Sequence, residues 1–372
     1  MMNKKIAVLF GDGVGPEVTV QSIKVLNTIA AKYGHKFGYT HGLIGAAAID
    51  ETGDPLPQLT IDMCRDSDAI LFGAVGHPKY DNDPFARVRP EHGLLRLRKE
   101  LGLFASIRPV NSYPALYHIS PLKKKQLMGV DFIIYRELSS GIYFGKKEIN
   151  KEGTEATDVS MYKRNEIERI AEKAFSAALQ RRKKLTLVDK TNVLATSKLW
   201  RKTIQEMASG YPEVKVDYLF VDNAAMQLIM NPAQFDVILT DNMFGDILSD
   251  ESSVICGSLG LLPSASIGEE NALFEPIHGS YPKAAGQDIA NPVGSILSVA
   301  MMLDHFGLPK EAKEVREAVG WTLTNGFVSQ DIDPVNAHYT STIGEFVSDF
   351  ISNDIPENIN AKNIAFGKAT II

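Results

Sequence analysis

Apolar runs of strand length alternate with segments of helical period through most of the 372 residues, and this alternation restricts the chain to an α/β architecture with much parallel pairing. The pattern is plainest in the middle. LTLV at 185–188 precedes DKTNVLATSKLWRKTI, VDYLFV at 216–221 precedes DNAAMQLIM, and DVILT at 236–240 precedes DNMFGDILSDE. A polar group follows each strand's carboxyl end. In open α/β sheets ligands bind at that rim, because strand ends and helix amino termini converge there. Residues near 190, 222 and 246 are therefore expected at one site. The length exceeds that of a usual single core, which favours two lobes.

Composition excludes several classes. Hydrophobic residues at 44% and charged residues at 23% fit an ordinary globular enzyme rather than a disordered or fibrous chain. A net charge of −6 gives no global attraction to phosphate backbones, and the basic runs KKK at 123–125 and RRKK at 181–184 read as solvated faces. No nucleic-acid partner is expected. Cys64 and Cys256 lie far apart without metal-ligand spacing, so no disulfide framework is indicated and a reducing cytoplasm fits. The start, MMNKKIAVLF, runs directly into GDG without the features of a signal peptide, and no apolar stretch approaches the roughly 18–20 residues of a membrane span. Two turn-rich stretches, 73–93 and 274–292, are expected to be functional loops that end at helix starts, with Pro292 at the first helical position.

Three groups of residues could carry chemistry. In FGDILSDE, Asp246 and Asp250 are four apart and share one helix face, where like charges repel unless a cation bridges them. Oxygen-only donors suit Mg²⁺ or Mn²⁺, and Asp222 offers a third carboxylate at the same rim. The plain alternative is a pair of aspartates decorating a helix start, where negative charge is favourable. The eight histidines lack zinc-like spacing. Arg98, Arg108 and Arg136 form the second group; guanidinium forks match carboxylates, and several of them imply a substrate with more than one. Each alone reads as a surface arginine, but Arg108 and Arg136 end apolar runs, where an unpaired guanidinium is costly. The third group is Lys190, directly after a strand, with Tyr143 in SSGIYFG, a base and a proton exchanger or else a salt-bridge partner and a packing residue. GDGVGPE at 11–17 follows a strand and opens a helix, yet it is not GxGxxG and is weak evidence for a dinucleotide fold.

Taken together, GDGVGPEV, GLLRLRKELGLFASIRP, RELSSGIYFG, DKTNVL, FGDILSDE and EPIHGSYP with IANP resemble, in order, the isocitrate/isopropylmalate dehydrogenase family of β-decarboxylating dehydrogenases, from about residue 5 to beyond residue 340. The resemblance implies a two-domain α/β fold around a shared mixed sheet, not Rossmann. It places a first domain at 1–104 plus 257–372 and a second at 105–256, the latter carrying a dimer arm. It also implies a homodimer with composite active sites. Arg98, Arg108 and Arg136 would hold substrate carboxylates, Asp246 and Asp250 would bind metal in one subunit, and Asp222 and Lys190 would come from the partner. Lys190 would act as base and Tyr143 as the proton donor to the enol.

The activity implied is oxidative decarboxylation of 3-isopropylmalate with reduction of NAD, in leucine biosynthesis. Leu94 and Leu95 offer an apolar surface beside the arginines that suits an isopropyl group and leaves an added carboxylate unpaired. Alternatives are isocitrate, tartrate or malate-type substrates, a metal-dependent hydrolase, and an inactive metabolite-binding homologue. Gly76, Glu91, His278, Gly279, Ser280, Lys283 and Asn291 would frame the nucleotide. NAD-using members commonly carry Asp-Ile after HGSxP, where this chain has Lys283 and Ala284, so NADP stands as the alternative cofactor. Phe10 before GDG and His77 after AVG are milder departures that remove no chemical group.

Overall fold

The computed structural model describes residues 1–81 and 88–353. Its first strands are β1 (Asn3–Gly11), β2 (Lys36–His41), β3 (Ala69–Ala74), β4 (Ala105–Asn111) and β5 (Asp131–Glu137). A small exposed hairpin, β6 (Lys147–Ile149) and β7 (Ala156–Asp158), stands outside the main sheet. The later strands are β8 (Lys184–Asp189), β9 (Lys215–Phe220), β10 (Val237–Thr240), β11 (Pro263–Ile267) and β12 (Ala272–Pro276). The main sheet runs β2-β1-β3-β12-β11-β4-β5-β10-β8-β9. Its two flanks are parallel, and antiparallel pairs β12/β11, β11/β4 and β4/β5 join them at the centre. The mixed sheet agrees with the expected fold class.

Helices cover both faces of the flanks, so their inner strands are largely apolar; every residue of β3, AILFGA, and of β10, VILT, is buried, whereas the edge strands β2 and β9 stay partly exposed. One core joins β1 and β3 to helices Gly15–Tyr33, Val293–His305, Pro309–Thr324 and Thr340–Ser352, with Ile6, Val25, Ile29, Ile296, Val315 and Val347 fully enclosed. The opposite flank is packed by helices Arg164–Gln180 and Ala195–Ala208 on one face. Helices Val221–Met230 and Asn242–Ser253 pack on the other. Strands β1 and β3 and the described residues from Leu261 to Ile351 thus contribute to one core, because β11 and β12 return to lie between β3 and β4.

The centre of the sheet behaves differently. Cross-strand partners share a face, so the register puts Ser106 beside Arg136 and Ser266, and Glu275 beside Ser264. That face is polar. The alternate residues Ile107, Tyr135, Ala265 and Phe274 face the other way, where with Ile133, Leu297 and Met301 they line an open groove of about 990 Å³.

The three strands read from the middle of the sequence fall within a residue or two of their expected positions. Three smaller expectations need correction. Residues 274–276 finish β12 rather than opening a loop, and Pro292 is the N-cap of helix Val293–His305 instead of its first residue. The run RRKK is not simply a solvated face: Arg181 donates to the buried Asp236 at 2.8 Å and to Asp131 at 2.7 Å, and Arg182 reaches the Phe235 carbonyl. Part of the 73–93 stretch, residues 82–87, lies outside the described residues.

Candidate active site

Asp241 follows β10 and caps helix Asn242–Ser253, its carboxylate accepting the Phe244 amide at 2.9 Å. The helix then carries Asp246 and Asp250 one turn apart. Asp246 accepts from the Arg136 guanidinium and from the Tyr143 hydroxyl, the latter at 2.6 Å. That bond pushes the Tyr143 pKa up, so the phenol stays protonated at neutral pH. Arg136, at the end of β5, is almost wholly buried; burial pushes its pKa down while Asp246 and Tyr143 oppose the shift. Arg98 donates to Glu275 at 2.6 Å. Arg108 donates to Ser106 at 3.3 Å, and its pKa is pushed down to about 10 by burial, against the pull of Glu275 and Asp250 and with the push of Arg98 and Arg136. Even there it remains charged at neutral pH. The three arginines thus form one electrostatic neighbourhood with Glu275, Asp246 and Asp250, suited to an anionic ligand.

Lys190 and Asp222 form a separate pair. They follow adjacent strands β8 and β9, and the Lys190 ammonium donates to the Asp222 carboxylate at 2.6 Å. That bond holds the Asp222 carboxyl below the ordinary range. Among the described residues of this single chain, no three His, Cys, Asp or Glu side chains gather as metal ligands. Asp246 with Asp250 offers hard oxygen donors from one helix face, and Asp222 is engaged elsewhere. The helices that carry these aspartates also expose large apolar side chains: Met226, Ile229 and Met230 on one, Ile247 on the other, with Val254 just after it.

The glycine motif has a structural explanation. Buried Asp12 accepts the amides of Ala46, Ala47 and Gly76 at 2.9–3.0 Å. Glu17 accepts those of Gly286 and, at 3.0 Å, Asp288. The Val14 amide donates to the Ser280 carbonyl at 2.8 Å, and a β-carbon at Gly13 would collide with that carbonyl. GDGVGPE therefore fastens three loops to the end of β1. It brings Gly76 beside Glu91 and Ser280, each within 3.1 Å of where a Gly76 β-carbon would stand. His278 donates from Nδ1 to the Gly279 carbonyl at 2.9 Å, while its buried Nε2 has no partner, and burial pushes its pKa down. That orphaned nitrogen fits a loop shaped for a polar ligand such as a nucleotide. Lys283 is exposed.

Other expected residues are placed less tellingly. The Asn291 side chain is occupied internally, accepting the Val293 amide at 3.0 Å and donating to Asp331 at 3.1 Å. Leu94 packs against the cluster around Leu97, whereas Leu95 is 54% exposed. Sequence reasoning missed Glu275, Ser106 and Asn242, which engage Arg98, Arg108 and Arg136 respectively. The alternation of polar and apolar residues in ASIRPVN was the available signal for Ser106 and Arg108 sharing a face.

Comparison with known proteins gives the family and the fold. The isocitrate/isopropylmalate dehydrogenase family matches residues 5–347. The chain is 52% identical over 352 residues to a 3-isopropylmalate dehydrogenase of Bacteroides fragilis, covering 94% of this chain and 99% of that protein. It is 53% identical over 360 residues to that of Priestia megaterium, covering 95% and 97%. Among solved structures, the isocitrate dehydrogenase of Methylococcus capsulatus superposes with a TM-score of 0.83 at 33% identity, covering 94% of this chain and 99% of that one. A β-decarboxylating dehydrogenase of Thermococcus kodakarensis gives 0.79 at 36% identity, covering 96% and 99%.

Proposed function

Because the chain belongs to the isocitrate/isopropylmalate dehydrogenase family, we propose that its reaction is the oxidative decarboxylation of 3-isopropylmalate to 4-methyl-2-oxopentanoate and carbon dioxide, a step of leucine biosynthesis. The observation that carries this reading is identity above half, along nearly the whole chain, to relatives named for that substrate. The arginine group supports it chemically, since a dicarboxylate needs at least two such partners.

The oxidant we assign is NAD, with Mg²⁺ or Mn²⁺ as the metal. Asp246 and Asp250 would hold the ion together with Asp222 of a second copy. The loop around His278, Gly279 and Ser280, with Gly76, Glu91, Lys283 and Asn291, would hold the nucleotide. When bound, the cation would supply Lewis-acid polarisation of the substrate oxygen and the nucleotide would supply the hydride acceptor. The protein's own part is to orient and to move protons. Arg98, Arg108 and Arg136 hold the carboxylates, and Leu94 and Leu95 meet the isopropyl group. Lys190 takes the hydroxyl proton as the base. Tyr143, kept protonated by Asp246, gives a proton to the carbon from which carbon dioxide has left.

The pairing of Lys190 with Asp222 away from Asp246 and Asp250, and the apolar side chains on the helices that carry these aspartates, support a homodimer with sites shared between copies. The lobes would divide at 1–104 plus 257–372 and 105–256, with the hairpin β6/β7 as the arm. No helix among the described residues is long and apolar enough to cross a membrane. The two cysteines, Cys64 and Cys256, are free and buried, which is compatible with the reducing cytoplasm we take as its setting.

The test is initial rates with racemic 3-isopropylmalate and Mg²⁺, NAD against NADP, with isocitrate and malate as controls. Turnover of 3-isopropylmalate with NAD preferred is the expected result. Preference for NADP would make Lys283 a 2′-phosphate ligand, and faster turnover of isocitrate would overturn the substrate.

A further inference from the structure

Asn242 is 1% exposed, and all its side-chain polar groups are engaged. Its Oδ1 accepts from Arg136 Nε at 3.1 Å and from Nη2 at 2.8 Å. Its Nδ2 donates to the Ser140 carbonyl at 3.1 Å, and its backbone N–H donates to the Tyr162 hydroxyl at 3.0 Å. These partners fix the amide orientation, because a flipped amide would turn NH₂ toward guanidinium donors and oxygen toward a carbonyl. Ser140 precedes the turn Gly141–Tyr143, so the bond to its carbonyl holds the segment that delivers Tyr143. Tyr143 then donates to Asp246, Asp246 accepts from Arg136, and Arg136 returns to Asn242. The circuit is closed.

A guanidinium has five N–H groups. In Arg136, Asn242 takes one from Nε and one from Nη2, and Asp246 takes one from Nη1. One N–H remains on each terminal nitrogen, so the guanidinium keeps donors for a further acceptor such as a carboxylate. Gly245, the next residue on that face, leaves the space in which the Arg136 stem lies, since a β-carbon there would fall 2.5 Å from Arg136 Cγ.

We propose that Asn242 is a positioning residue: by fixing the guanidinium of Arg136 and the turn bearing Tyr143 against the acidic helix, it sets affinity for the hydroxy acid without touching it. This rests on the reading that Arg136 takes a substrate carboxylate. Loss of a group that orients a ligand-binding side chain typically costs about 10–100-fold.

A double-mutant cycle tests it, read as the KM for 3-isopropylmalate at saturating Mg²⁺ and nucleotide. Asn242→Ala is expected to raise KM by about tenfold or more and leave the nucleotide KM within about twofold. In an Arg136→Lys background, adding Asn242→Ala should raise KM by less than about twofold, because the group it positions is gone. If the two effects multiply, Asn242 acts independently of Arg136 and the inference fails. If Arg136→Lys alone leaves KM unchanged, it is the substrate reading that fails. Should Asn242→Ala not fold, the isosteric Asn242→Asp fills the same space; it removes the donor to Ser140 and pairs a negative charge with Arg136. Calorimetric titration with the hydroxy acid should then show affinity reduced by about tenfold, with melting within a few degrees of the parent. Unchanged affinity would overturn the proposal.

Discussion

Asp241 shows how burial sets the pH response of a single side chain. Its carboxyl is pushed up from 3.8 to about 6, chiefly by burial and then by neighbours such as Glu137, while the Phe244 amide pulls the other way. Between those values the native state binds more protons than the unfolded one, so this group's contribution to stability falls as pH rises from about 4 to 6. Asp241→Asn keeps a good cap and removes the charge. Thermal unfolding of the variant should match the parent near pH 4 and show a gain of up to about 2–3 kcal/mol at pH 7. An equal gain at both pH values would count against burial as the cause. At the other pair, Lys190→Met should lower kcat by about 100-fold or more, with melting little changed. Tyr143→Phe should slow decarboxylation of added 2-oxo acid as well as overall turnover, and an unaltered rate would remove Tyr143 from the proton path. Arg108, Arg136 and Lys190 were legible as candidates because charged residues after apolar runs need a reason, Asp246 and Asp250 because of their one-turn spacing, and Arg98 and Tyr143 through the motifs of the family resemblance. Glu275 and Asn242 were not, because their importance lies in partners over a hundred residues away.

Among the elements, the turn from β1 into helix Gly15–Tyr33 repays closest scrutiny. The sequence advertised a glycine-rich motif but not its purpose. Its polar atoms address three loops that follow β2, β3 and β12, and no period in a local sequence reports such distant partners. Glu17→Ala frees the amides of Gly286 and Asp288. We expect it to raise the nucleotide KM by about threefold to tenfold while the hydroxy-acid KM stays within about twofold, by the usual cost of loosening an orienting bond. Equal changes in both constants would mean that the clasp supports the whole cleft. The parallel strands were legible as apolar runs of the right length. The antiparallel centre was less so, since β11 and β12 carry Pro, Ser and Glu that read as loop. Burial of those polar residues on one face, with Ile107, Tyr135 and Phe274 on the other, separates site from groove.

For the molecule as a whole, the shared-site proposal makes an arithmetic prediction. Lys190→Met and Asp246→Asn are each expected to be inactive as homodimers. Mixed after dissociation and reassociation, they should form hybrids in which one site takes both intact residues and the other takes both lesions. Random pairing then restores about a quarter of the parental activity. No recovery, with hybrids demonstrated by native mass spectrometry, would mean that each chain completes its own site. The fold class was readable at this scale because the strand and helix alternation spans the chain, whereas the sheet order depends on contacts between its ends.

That order has a consequence for how the protein is made. A chain emerging from the ribosome presents β1 to β3 early, but the neighbour of β3 is β12, about 200 residues further on, which at about 5–20 residues per second leaves a wait of roughly 10–40 s. Throughout it, AILFGA has one bare edge and no helix Val293–His305 to complete its core, the combination most prone to stray pairing. β5, β8, β9 and β10 can meanwhile assemble with their own helices, so the middle of the chain is finished before its beginning.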